Sequence, residues 1–182
     1  MNFLTIIPAR GGSKGLKNKN ILNFNGKPLI HWTLKAAKKS KYINDIIVST
    51  DSKKIAKICE KNNCKINSLR PNNLSKSSTL MSDVIDYELE KIDIKKKKYD
   101  ALILLQPTSP LRTHLDINKA CELFIKNKSD SLVTVNKLKH ICNPDSLFFI
   151  KKNLLKRVSK KKIVPIRQKK NTYYHANGAA IY

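Results

Sequence analysis

Arg10, Lys14, Lys17 and Lys19 stand around Gly11, Gly12 and Gly15 in the stretch IIPARGGSKGLKNKN, Ile6 to Asn20. Glycines permit backbone turns and close approaches that other residues forbid, and successive N–H groups can form a nest for an anion. Lys14 and Lys19 add mobile positive charge, and Arg10 adds a planar fork suited to phosphate or carboxylate. The spacing matches neither GxGxxG nor GxxxxGK[ST], so it is neither a dinucleotide fingerprint nor an NTPase loop. Phosphate binding is the chemistry this stretch offers. A surface turn in a lysine-rich chain is the plainer alternative.

Charge alone does not decide between them. The 182 residues carry 37 Lys and Arg against 13 Asp and Glu, a formal net charge of +24. Such a chain invites a nucleic-acid reading through counterion release. Lysine far outnumbers arginine, however, and asparagine and isoleucine abound, as codon drift toward AAA, AAT and ATT would produce. Tracts such as IKKKKYD and VSKKKIV lack the interleaved aromatics of a single-strand stacking platform, and they read as solvated faces and loops. No specific nucleic-acid partner is expected. Against this background the five arginines are informative, because a guanidinium fork is not replaced by lysine without loss. They are Arg10, Arg70, Arg112, Arg157 and Arg167, and all but Arg157 fall in motif-like segments.

Three further segments hold polar residues beside turn formers: STDS (Ser49 to Ser52), LRPNNLS (Leu69 to Ser75) and QPTSPLR (Gln106 to Arg112). Asp51 or Ser52 suits a helix N-cap, and Pro107 and Pro110 make a rigid turn that Ser109 and Arg112 can brace. Cys59, Cys64, Cys121 and Cys142 lie at irregular spacings without a CxxC pair, which favours reduced thiols over disulfides or zinc. No histidine pair has metal or triad spacing. MNFLTII lacks a basic leader, and no apolar run approaches the roughly 20 residues of a membrane span. The expected location is the cytoplasm, with no membrane partner.

The elements that must position these residues alternate. Phe3 to Ala9, Asp45 to Thr50, Tyr99 to Gln106 and Ser129 to Val135 are short apolar runs, read as strands covered on both faces. Between them KPLIHWTLKAAKKSK, SKKIAKICEKNN, STLMSDVIDYELEKI and LDINKACELFIKNK carry apolar residues at helical spacing, with Pro28 suited to a first helical turn. The alternation predicts an α/β domain with a mostly parallel sheet and helices on both faces. In such a sheet the ligand lies beyond the carboxyl ends of the strands, where the glycine loop and the three polar segments should converge. After Val135 the rhythm breaks, and about 136–165 reads as an excursion from the sheet. A last strand follows in YYHANGAAIY.

IIPARGGSKGLKNKNI, GKPLIHWTL, IIVSTDS, LRPNNLS, LLQPTSPLR and RQ followed by NGA occur in an order that resembles the acylneuraminate cytidylyltransferase family. The resemblance implies one domain of nucleotide-diphospho-sugar-transferase, Rossmann-like type over 1–182. It implies transfer of CMP from CTP to a nonulosonic, sialic-like acid with release of pyrophosphate. Arg10 and Lys19 would then face phosphates as the catalytic charges, with Gly11, Gly12, Ser13 and Lys14 completing the phosphate loop. Asn20 and Arg70 would help to hold the nucleoside, and Ser78 and Thr79 would border the cytosine. Gln106, Arg167 and Asn177 match family residues on the sugar-acid side. The 136–165 excursion corresponds to the family's dimerisation region, so a homodimer is expected.

The sequence also departs from the family pattern. RPNNLSKSST lacks the aspartate usual shortly after RPxxLA, and NGAAIY is one residue longer than NGAIY, so no role passes to Tyr182. Family members use Mg²⁺ held by an IDxD-like segment beyond the NGA strand. That segment is not within these residues, so the C-terminal end of the domain is expected to be missing. A truncated, inactive relative that binds CTP without turnover is the alternative function.

Overall fold

Alternate side chains of Phe3–Pro8 (β1) are buried on opposite faces, which makes this strand the axis of the sheet. The computed structural model describes residues 1–13, 15–92, 99–139, 142–159 and 171–177. They fall into two compact units, one built from Met1–Thr134 and one from Val135–Asn177.

In the first unit, β1 is followed by a small hairpin, Asn23–Phe24 (β2) with Lys27–Pro28 (β3). Its turn, Asn25 and Gly26, has φ of 49° and 78°, the paired left-handed conformation that a two-residue hairpin requires. The helix Leu29–Lys39 (α1) leads to Ile43–Ser49 (β4), and Lys53–Lys61 (α2) follows. Met81–Glu90 (α3), Ala101–Leu104 (β5) and His114–Asn127 (α4) complete the unit. β1 pairs in parallel with β4 and with β5, giving the order β4–β1–β5. Pro28 sits just ahead of α1 rather than in its first turn, because it is extended (ψ 142°) and paired with Asn23.

The sheet is covered on both faces, as expected. On one, Phe3, Ile7, Val48, Ile103 and Leu105 meet Ile30 and Leu34 of α1, Ile55 and Cys59 of α2 and Ile117 and Cys121 of α4. On the other, Leu4, Ile6, Ile47 and Leu104 pack with Ile85 and Leu89 of α3. Each fully buried Leu or Ile contributes roughly 1.5–3 kcal/mol through removal from water. The four cysteines are free thiols; burial pushes Cys59 up to about 12 and Cys121 to about 11, so these are inert core residues.

The expected strand over Ser129 to Val135 does not form: 131–134 carry no ladder among the described residues. Lys128, left-handed at φ 48°, ends α4, and Ser129 N–H is spent on the Phe124 carbonyl, so the chain leaves the helix as a loop. Leu132 packs onto the core while Val133 faces outward. Val135 instead begins Val135–Lys137 (β6), which pairs antiparallel with Tyr174–Ala176 (β9) in the second unit. That unit also holds the hairpin Phe148–Lys151 (β7) with Leu154–Arg157 (β8), turned at Lys152 and Asn153 with φ 51° and 59°. No helix among the described residues is long and apolar enough to cross a membrane.

Candidate functional site

The chain leaves β1 at Pro8 and β5 at Leu104, and at that sheet edge lies a cleft of about 560 Å³. Arg10, Ser13, Lys19, Asn20, Arg70, Thr79 and Gln106 all line it, bringing together residues up to 96 positions apart in sequence. All belong to the first unit.

The glycine loop is held to the turn after β4. Ala9 N–H donates to the Ser49 carbonyl at 2.8 Å, and Gly11 N–H donates to Asp51 Oδ1 at 2.7 Å. A Cβ on Gly11 would stand 3.0 Å from Ser52 Cβ, so glycine allows the loop and the turn to approach without either giving way. Gly11 has no positive φ, and its amide N–H, offered by the sequence to an anion nest, is donated here to the Asp51 carboxylate. Asp51 and Ser52 divide the roles weighed above: Ser52 Oγ caps α2 by accepting from Ile55 N–H, and Asp51 holds the loop. Across the loop, buried Asn20 donates its side-chain amide to the Arg10 carbonyl at 2.9 Å, and Asn18 supports that turn at φ 56°.

Arg70 is only 5% exposed although it lines the cleft. Its N–H donates to the Thr50 carbonyl at 2.7 Å, and its Nε donates to Ser75 Oγ at 3.3 Å. Burial lowers the guanidinium pKa from its ordinary value, and the Asp51 and Glu88 carboxylates oppose that shift. Glu88 is fully buried on α3 and accepts from Asn67 Nδ2 at 3.2 Å. Thr79 Oγ1 donates to the Asn73 carbonyl at 3.2 Å, closing the 73–79 loop over the same wall.

Gln106 follows directly on Leu105, whose N–H extends the β1 ladder through the Ile6 carbonyl at 3.0 Å. Arg112 Nη2 donates to the Gln106 carbonyl and to Thr33 Oγ1, each at 3.2 Å. Burial lowers the Arg112 pKa to about 10. The turn QPTSPLR is thus braced from behind by its arginine, leaving Gln106, Pro107 and Thr108 on the cleft wall.

Gly11, Gly12 and Ser78 do not line the cleft; Ser78 is exposed beside Ser77 and Thr79, which do. Lys14 and Arg167 lie outside the described residues, and Asn177 belongs to the second unit. Sequence reasoning did not single out Leu74, Met81 and Val84, which form the apolar side of the cleft. The i, i+3 spacing of Met81 and Val84 on α3 was the available signal.

A divalent cation of the kind the resemblance implies needs several oxygen ligands. No cluster of three or more His, Cys, Asp or Glu that could hold a metal occurs among the described residues. Asp51, the carboxylate of the sheet edge, is already engaged by Gly11 N–H. These residues do not make a metal site.

A parallel sheet flanked by helices, with a basic cleft at its carboxyl edge, is the architecture of nucleotide-diphospho-sugar cytidylyltransferases. A solved CMP-2-keto-3-deoxy-manno-octonic acid synthetase, complexed with CTP, superposes with a TM-score of 0.70 at 18% identity, covering 100% of this chain and 74% of that one. The 4-diphosphocytidyl-2C-methyl-D-erythritol synthase of Anaerococcus prevotii gives 0.64 at 17% identity, over 100% of this chain and 69% of that one. The family model described as Cytidylyltransferase matches residues 4–182, and the chain belongs to that family.

Among curated relatives, post-translational flagellin modification protein B of Campylobacter coli is 40% identical over 72% of this chain and 57% of that protein. CMP-N,N'-diacetyllegionaminic acid synthase of Legionella pneumophila is 39% identical over 75% and 58%, and N-acylneuraminate cytidylyltransferase of Escherichia coli is 38% identical over 67% and 28%. The matches span little more than half of the first two relatives and less of the third.

Proposed function

We propose that this chain carries the CTP-binding cleft of a cytidylyltransferase that transfers CMP to a nonulosonic acid. The observation that supports it most is the convergence of Arg10, Lys19, Asn20, Arg70 and Gln106 on one cleft at the sheet's carboxyl edge. Two of the three relatives named above carry nonulosonic-acid names, which supports the substrate class.

In this reading the anomeric hydroxyl of the sugar acid attacks the α-phosphorus of CTP. A new C–O–P linkage forms, the α–β phosphoanhydride bond breaks, the hydroxyl proton leaves to solvent or base, and pyrophosphate departs. Charge accumulates on the phosphate oxygens, and fixed cations placed there beforehand stabilise it without reorganisation. Arg10 and Lys19 supply those cations; Arg70 and Asn20 hold the nucleoside; Gln106 faces the sugar acid. Lys14, Arg167 and Asn177 keep their proposed parts in the phosphate loop and on the acceptor side. Mg²⁺ is the proposed cofactor, and no step here is routed through it. The proposed location is the cytoplasm, and the proposed assembly is a homodimer.

The test is pyrophosphate release from CTP, with Mg²⁺ and a panel of nonulosonic acids, alongside CTP binding by calorimetry. Release that depends on one of the acids is the expected result. Arg10→Ala and Lys19→Ala should each lower kcat about 100-fold or more with the fold retained. CTP binding without release would instead identify a relative that binds without turnover. Failure to bind CTP would overturn both.

A further inference from the structure

We propose that Asp51 is a positioning residue for the nucleotide cleft, the post to which the phosphate loop is tied through Gly11 while the adjacent Thr50 ties the Arg70 segment. The proposal rests on the CTP reading above. Three contacts carry it. Gly11 N–H donates to Asp51 Oδ1 at 2.7 Å, Arg70 N–H donates to the Thr50 carbonyl at 2.7 Å, and Ala9 N–H donates to the Ser49 carbonyl at 2.8 Å. Three consecutive residues, the last of β4 and the first two of the turn after it, therefore receive the start of the glycine loop on one side and the nucleoside wall on the other.

The turn is itself rigid. Ser52 N–H donates to Thr50 Oγ1 at 3.1 Å, Ser52 Oγ caps α2, and Thr50 is fully buried. Gly11 approaches so closely that a Cβ would meet Ser52 at 3.0 Å, so the loop is seated against the turn by contact as well as by hydrogen bond. A carboxylate is the strongest acceptor for a backbone N–H, and its charge also lies within electrostatic reach of buried Arg70. Arg10 and Arg70 repel each other across the cleft, and Asp51 is the anion at the sheet edge that acts on Arg70 against that repulsion. Asp51 does not line the cleft. It acts by fixing where Arg10 and Arg70 stand before CTP arrives.

The test compares Asp51→Ala, Asp51→Asn and Asp51→Glu in the full chain, by calorimetry with CTP and by the Gly11 amide resonance of the unliganded protein. Asp51→Ala should weaken CTP binding about tenfold or more, the loss expected of a hydrogen bond to a charged group. It should also move the Gly11 amide proton upfield. Asp51→Asn keeps an acceptor oxygen in place and should restore most of the affinity, whereas Asp51→Glu displaces the carboxylate by a methylene and should not. Wild-type affinity in Asp51→Ala, an unmoved Gly11 resonance, or Asn behaving no better than Glu would each overturn the role. Should Asp51→Ala fail to fold, the Asn and Glu pair decides. A wild-type chain that binds no CTP would sink the nucleotide reading and this role with it, an outcome distinct from intact affinity in the variants.

Discussion

The neighbouring glycines of the loop after β1 do different work. Gly11 is pressed against Ser52, with room for a Cβ only if the N-cap of α2 gives by a few tenths of an ångström. Gly12 has nothing within 4 Å of where a Cβ would stand. Gly11→Ala should therefore lower the stability of the unliganded protein by about 1 kcal/mol, the loss of a strained cap. Gly12→Ala should leave unfolding unchanged. Thermal unfolding checks both, and equal behaviour of the two variants would refute the distinction. The motif marks both glycines alike, because a string of letters carries no information about the segment some 40 residues away that packs on one of them.

At the scale of elements, α4 shows how the local code works where it is complete. Thr113 Oγ1 accepts from Asp116 N–H while Asp116 Oδ2 accepts from Thr113 N–H at 2.8 Å, a reciprocal capping box. These bonds favour the ionised carboxyl, so the Asp116 pKa in the folded state lies below its ordinary 3.8. A depressed carboxylate pKa stabilises the fold fully above the unfolded value, and that contribution is lost as pH falls through the folded one. Asp116→Ala should cost about 1 kcal/mol near neutral pH, reduced by solvent at this exposed site. In urea titrations the gap to wild type should close in acid below 3.8. A gap that persists there would place the effect in helix propensity instead. Periodicity made α1, α2, α3 and α4 legible, but not the failure of the strand after α4. Leu132 and Val133 have strand propensity, yet strand formation also needs a ladder partner, and that is a non-local condition.

At the scale of the molecule, exposed apolar side chains mark one hairpin of the second unit. The β7–β8 hairpin presents Phe148, Ile150, Leu154 and Leu155 to solvent, with Ile150 and Leu155 74% and 68% exposed. Apolar side chains grouped on one hairpin are a surface for burial, and the proposed homodimer would supply it. Ile150→Asp with Leu155→Asp should shift sedimentation from dimer to monomer, since each lost contact is worth roughly 1.5–3 kcal/mol. The first unit's unfolding should be unchanged. A wild-type protein that sediments as a monomer at micromolar concentration would remove the dimer from the proposal.

Much of this protein is determined by sequence alone. The α/β alternation follows from apolar spacing, because backbone hydrogen bonding and burial admit only a few solutions to that pattern. The clefted edge follows from where the polar segments interrupt it, and the arginines stand out because lysine drift cannot imitate a guanidinium fork. Tertiary structure alone decided which partner each of these residues takes. It set the Arg112 guanidinium on the Gln106 carbonyl and Thr33, tied the Arg70 segment to Thr50, and gave Gly11's amide to Asp51. The physical reason is that a hydrogen-bond donor serves one partner at a time, and which partner it serves depends on how distant segments pack, which spacing along the chain does not encode.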